Sequence, residues 1–164
     1  MQLIKHGRAI SDPWDRIDDP ASVPAGGNVI VSLARWREAA ATLVRDAARI
    51  GIVVDAEVDI DTLAPMLDGL DLIVLEFPSF VDGRHYSNAV RLRSFYGFAG
   101  EIRAAGDVQR DQLNYLLRCG FDAFEVADDV DIAEFLRGAD EFSGVYQYAL
   151  DGRTPAYRLR GGFM

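Results

Sequence analysis

Five apolar runs recur about every two dozen residues, with helical periodicity in the stretches between them, and this alternation limits the fold more than any other feature. The runs are NVIVSL at 28–33, GIVVD at 51–55, LDLIVLEF at 70–77, GEIRA at 100–104 and FDAFEV at 121–126. Continuous Val/Ile/Leu strands of this kind need both faces of a parallel sheet covered. Apolar residues three and four apart, such as Leu113, Leu116 and Leu117, place helices at about 34–49, 60–68, 85–96, 108–119 and 130–139. Asp107 reads as the cap of the fourth helix, Gly97 closes the third, and Asp129 or Asp131 caps the last.

A chain of 164 residues without a linker or low-complexity tract reads as one α/β domain over 1–164. About five βα units are too few for a closed eight-stranded βα barrel, so the mostly parallel sheet is either open and doubly wound or a partial-barrel arc. The ends read differently, as short terminal β-hairpins. LIKHGRAIS turns about His6 and Gly7, and YQYAL is joined to AYRLR through Asp151 and Gly152. Edge pairing of such hairpins would make a homodimer.

Charge and cysteine content remove several function classes. The net charge of −9 disfavours nucleic acid as a partner, because neutralising phosphates needs a basic face. One cysteine, Cys119, leaves no internal disulfide and no thiolate cluster for zinc or iron–sulfur, which fits a reducing cytoplasm. Cys119 itself reads as a small core residue at a helix end. The N-terminus has no signal-peptide run, and no apolar stretch approaches the length of a membrane span. With two histidines, and neither a G-x-G-x-x-G nor a G-x-x-x-x-G-K-[ST] motif, no metal and no nucleotide cofactor can be named.

Residues of chemical interest crowd between Phe77 and Glu125, at the carboxyl ends of successive strands where α/β folds bind ligands. Following each strand to that edge gathers Glu76, then Asp82, Arg84, His85, Tyr86 and Ser87, then Arg103, then Gly106 and Asp107, and finally Glu125. Six arginines between 84 and 118 face only Glu101, Asp107 and Asp111, a basic island in an acidic chain that suggests a small oxyanion or an acidic partner. Arg84, Tyr86 and Ser87 fall on a first helical turn, whose free N–H groups favour an anion. Arg103 and Glu125 lie on otherwise apolar strands and need a partner or a ligand. His85, Asp107 and Glu125 are the candidates for proton transfer; His85 reads first as a surface histidine on its helix.

The run DGRHYSNAVRLRSFYGFAGEIRAAGDVQRDQLNYLLRCGFDAFE, with LIKHGRAISDPW and IVLEFPSF, resembles the bacterial domain of unknown function 934 family. Its segments DGR-x-YS, GE-x-RA-x-GDV-x-x-DQ and RCGFDAFE carry the likeness and add Gln112 to a ligand-binding set of Asp82, Arg84, Tyr86, Ser87, Arg103 and Gly106. Members are described as oxidoreductases of sulfite reduction because their genes lie beside sulfite reductase genes. The resemblance therefore implies a place in assimilatory sulfur metabolism, with sulfite reductase or its electron donor as partner. A chain with one cysteine and no nucleotide motif has no visible route for electrons, so the reading is an accessory protein with an arginine-rich anion- or partner-binding edge. The alternative is a small enzyme on an anionic metabolite, with Arg84 and Arg103 binding the anion.

Overall fold

Two strands that follow one another in the chain lie at opposite edges of the sheet, and this alone dictates its shape. The computed structural model describes residues 1–17 and 25–159. Its strands are β1 (Gln2–Lys5), β2 (Arg8–Ile10), β3 (Asp15–Arg16), β4 (Asn28–Ser32), β5 (Arg49–Asp55), β6 (Leu72–Phe77), β7 (Glu101–Gly106) and β8 (Ala123–Val126). They form one eight-stranded sheet in the order β2-β1-β8-β7-β6-β5-β4-β3. If flat, this sheet would hold its edge strands about 34 Å apart. The connection from Ile10 to Asp15 spans at most about 19 Å even when fully extended. The sheet therefore curls into a half-barrel, with Ser11–Trp14 crossing its open side.

From β3 to β8 the strands are parallel and each lies beside the next in sequence, while β1 is antiparallel to β8 and β2 to β1. Neighbours in sequential order leave no point where the winding reverses, so of the two layouts open to the sequence the molecule adopts the arc, not the doubly wound sheet. The first hairpin forms as expected, about His6 at φ 52° and Gly7 at φ 71°, and joins the main sheet through β8. The second does not form as strands. Among the described residues, 145–155 is irregular and Ala156–Leu159 is a short helix following Pro155; Arg160, the end of the expected strand, lies outside them. The Asp151–Gly152 turn is present, with Gly152 at φ 67°, but Arg118 takes the Gln147 carbonyl with its side chain and the Leu150 N–H with its own carbonyl, so these backbone groups of the expected strand are not free for a ladder.

The helices are α1 (Leu33–Asp46), α2 (Arg84–Ser94), α3 (Leu113–Arg118), α4 (Ile132–Arg137) and α5 (Ala156–Leu159), with 3₁₀ turns at Ile60–Gly69, Arg110–Gln112 and Gly138–Asp140. Pro65 lies inside the segment expected as the second helix, which is 3₁₀ throughout. Asp131 caps α4, accepting from the N–H groups of Ala133 and Glu134. Asp107 does not cap the helix after β7. Gln109 and Gln112 form a reciprocal capping box there, leaving Asp107 to hold another loop.

Strand side chains alternate between two faces. On β6, Ile73, Leu75 and Phe77 point to the outer face, where they pack with Ala89 and Leu92 of α2, Leu113 and Leu116 of α3, and Phe135 of α4. Leu72 and Val74 point to the concave face and meet Trp14, Ile30 and Ala105. Arg103 stands opposite Val74 in register and Glu101 opposite Leu72, so both charges project into the hollow of the half-barrel.

Candidate functional site

The carboxyl edge of β6 and β7 holds many of the expected residues but binds them into the scaffold. Beyond Phe77 the chain turns through Asp82, whose carboxylate accepts from the Arg84 backbone N–H at 3.2 Å and from its guanidinium Nε at 3.0 Å. Arg84 also donates to Glu57 at 3.0 Å. The bond from Arg84 holds the Asp82 carboxyl down at about 2, and both carboxylates raise the guanidinium in turn. Arg84 is thereby claimed by two carboxylates.

His85 is not a surface residue; it is fully buried. Its Nε2 lies 3.0 Å from the Glu76 carbonyl oxygen and its Nδ1 lies 3.3 Å from the Asn88 side-chain nitrogen, while the ring meets Phe77 edge-on at 5.3 Å. A carbonyl only accepts, so Nε2 carries the hydrogen and Nδ1 accepts from Asn88, which describes a neutral ring that rivets α2 to β6. The helical stripe His85, Ala89, Leu92 was the signal for this burial. Tyr86 packs on Phe77 and Tyr115, and burial raises its hydroxyl pKa; Ser87 is exposed on α2.

Gly106 and Asp107 end β7 against the same loop. The Asp107 carboxylate accepts from the Phe80 N–H at 2.7 Å, and the Gln112 side chain donates to the Phe80 carbonyl at 3.2 Å, so the two residues clamp both backbone groups of Phe80. Between β5, β6 and β7 lies a cleft of about 410 Å³ lined by Asp55, Glu57, Glu76 and Asp107. It is acidic, the reverse of the anion-binding edge that the arginine count suggests. Among the described residues no cluster of His, Cys, Asp or Glu is placed to hold a metal ion.

Burial pushes the His85 pKa below its ordinary value; the Glu76 carbonyl, Asp82 and Asp55 oppose this and Arg84 adds to it. Because the folded pKa lies below the unfolded one, the unfolded chain takes up the proton first as pH falls. The stability due to neutral His85 is present above the unfolded pKa of about 6.5 and is lost as pH falls toward the folded value. Replacing His85 with Gln, which can still donate to Glu76, should flatten the decline of the urea midpoint between about pH 7 and pH 5. Equal slopes for the two proteins would show that His85 is not the titrating group.

Arg103 and Glu125 meet on the concave face, away from Arg84. Arg103 is fully buried and donates through Nε to Glu101 at 2.9 Å, and through Nη1 to Glu125 at 3.0 Å and to Asp12 at 2.7 Å. Arg16 on β3 donates through Nη2 to both oxygens of Glu125, at 2.8 and 2.7 Å, reaching across the hollow from a strand five positions away. Lys5 on β1 pairs with Glu101. Three cations thus meet three carboxylates. Burial disfavours the Arg103 charge, yet the bonds to Asp12 and Glu125 outweigh it and its pKa lies above the ordinary value. At an effective dielectric constant of 20, each pair at about 4 Å is worth about 4 kcal/mol before desolvation is subtracted.

Above this network, at the gap between β2 and β3, opens a cavity of about 690 Å³. Leu3, Ile10 and Trp14 supply its apolar wall, and Asp12, Arg16 and Glu125 its charged floor. The Arg16 side chain is 45% exposed there. Sequence reasoning finds Arg103 and Glu125 but misses Lys5, Asp12, Arg16 and Glu101. The alternation of Glu101 and Arg103 with Ile102 and Ala104 is a signal for a polar concave face; the two-residue β3 offers none. The structure therefore gathers Arg103 with Glu125 in one place, and Asp82, Arg84, Gly106, Asp107 and Gln112 around another.

The family described as "Bacterial protein of unknown function (DUF934)" matches the chain over residues 51–157. That span includes Glu101, Arg103 and Glu125, while Lys5, Asp12 and Arg16 lie before it. No curated protein matches the chain.

Proposed function

Because the chain belongs to the DUF934 family of bacterial proteins of unknown function, we propose that it is a cytoplasmic, noncatalytic accessory of assimilatory sulfite reduction that docks on sulfite reductase or its electron donor. The pathway comes from the resemblance alone, through family members whose genes lie beside sulfite reductase genes. One observation supports the noncatalytic role: Arg84, Arg103 and His85, expected to bind an anion or move a proton, are committed to the protein itself. Arg103 is shared among Asp12, Glu101 and Glu125, Arg84 is held by Asp82 and Glu57, and His85 is buried and bonded at both ring nitrogens. Cys119 is buried and its thiol pKa is raised by burial, which works against thiolate chemistry. No helix among the described residues is long and apolar enough to cross a membrane.

The immobilised protein should bind purified sulfite reductase or its flavoprotein donor at micromolar concentration in an interferometry measurement. Binding to neither component, together with normal growth of a deletion strain on sulfate, would defeat the reading.

The 690 Å³ cavity supports a second reading, an enzyme or receptor for a small oxyanion, because Arg16 is half exposed to it. That reading expects sulfite, sulfate or adenylyl sulfate to raise the melting temperature, since a ligand at 100 times its Kd adds about 2.7 kcal/mol of stability. The accessory reading expects no shift with any of them.

A further inference from the structure

Among the described residues the largest group of exposed aromatic side chains lies on the segment that follows α4, none of whose residues lines either cleft. Phe142, Tyr146, Tyr148, Tyr157 and Leu159 are all exposed on it, Tyr146 to 86%. Tyr115 of the adjoining α3 is exposed as well. Single exposed apolar residues are ordinary, but a group gathered on one segment and the helix beneath it is not.

The segment is held in place by arginine and backbone bonds, with Val145 and Pro155 buried beneath it. Arg118 of α3 donates to the Asp151 carboxylate at 2.9 Å and to the Gln147 carbonyl at 2.7 Å, and the Leu150 N–H returns to the Arg118 carbonyl at 3.1 Å. Arg153 ties the Phe142 and Ser143 carbonyls at 3.2 and 2.9 Å, and the Ala156 N–H donates to the Val145 carbonyl at 2.8 Å. These bonds tie Arg153 to the Phe142 backbone, Ala156 to Val145, and Leu150 to the end of α3. The rings are presented on a backbone that is already ordered, which lowers the entropy lost on binding.

Within a chain of net charge −9 this segment is positive, with a net charge of +1 over 142–159. Between 142 and 159 the ionisable side chains outside tyrosine are Asp151, Arg153 and Arg158, and Asp151 is taken by Arg118. Among the described residues no carboxylate lies within salt-bridge reach of Arg153 or Arg158, whereas the arginines of the 84–118 island all pair with acids. Tyrosine and arginine are enriched at protein interfaces, and this segment supplies Tyr146, Tyr148, Tyr157, Arg153 and Arg158.

We propose that residues 142–159, with the outer side of α3, form a docking surface for an acidic protein, one that sets carboxylates against Arg153 and Arg158 and apolar side chains against the tyrosines. The proposal rests on the accessory reading and assigns it a face. The partner's carboxylates are drawn to the cationic patch, while the acidic remainder of this chain repels other approaches.

The test uses the full chain and its Tyr146→Ser, Tyr157→Ser and Arg158→Glu variants. Among the described residues these side chains make no hydrogen bond, so circular dichroism should show unchanged melting. Each variant should bind sulfite reductase or its flavoprotein donor at least tenfold more weakly than wild type, and wild-type affinity should fall as salt is raised. If variants and wild type bind alike, this face is not the one used, though the accessory reading stands. If wild type binds neither component, both fall together. A concentration-dependent dimer in sedimentation that the variants abolish would make the patch a contact between copies of this chain and overturn the acidic-partner assignment.

Discussion

Arg103→Met is expected to cost about 3–5 kcal/mol of stability, because it removes the shared partner of three carboxylates and leaves their charges facing one another in a nearly dry hollow. Glu101 and Glu125 keep only Lys5 and Arg16, both partly exposed, and Asp12 loses its hydrogen-bonded cation. For a domain of this size the melting temperature should fall by roughly 6–20 °C. Adding Glu125→Gln in the same chain should restore part of the loss, since it removes one of the stranded charges. The coupling between the two sites would then appear as a nonadditive term of about 0.5–3 kcal/mol. A loss below about 1 kcal/mol for Arg103→Met would mean that the network behaves as a solvated surface cluster. Arg16→Ala, at the exposed end of the same network, should cost less than Arg103→Met.

Gly106→Ala is expected to destabilise the protein by about 3 kcal/mol or more, from strain rather than lost charge. Gly106 has φ 84°, and a Cβ placed on it would lie 2.2 Å from the Phe77 carbonyl oxygen on the neighbouring strand. That oxygen accepts the Asp107 N–H at 3.0 Å, so moving it disturbs the end of β6 and the loop whose Phe80 is clamped by Asp107 and Gln112. Gly152→Ala is the control, with φ 67° and nothing within 4 Å of its added carbon. It should cost only about 1–2 kcal/mol, the penalty of the left-handed conformation without a clash. Urea denaturation of the two variants separates these contributions. Equal losses would show that close approach at Gly106 relaxes at little cost.

The five buried strands are written in local periodicity and appear within about two residues of where the apolar runs place them, whereas the helices are less exact: the first ends at Asp46, the second is 3₁₀ throughout and the fourth becomes α-helical only at Leu113. Asp131 as a cap, Cys119 in the core and the turn about His6 and Gly7 are likewise legible, since each depends on neighbours in the chain. The second hairpin shows where local signals stop. Asp151 and Gly152 make the turn they favour, but Arg118, more than thirty residues earlier, takes the groups around it.

The candidate site divides in the same way. That Arg103 and Glu125 need partners follows from lone charges on apolar strands, because burying a charge unpaired is costly wherever the strand lies. Which charges satisfy them does not follow, because Asp12 and Arg16 meet them only when an eight-stranded sheet curls until its edges are bridged by a few residues. The chain by itself thus determined where strands and helices form and which positions must be buried, since both depend on side-chain period and solvation. The sense of the arginine-rich edge was decided by the tertiary structure alone. Curling and strand order brought a carboxylate to each of the six arginines between 84 and 118, because Coulomb pairing depends on distances that only the folded chain defines.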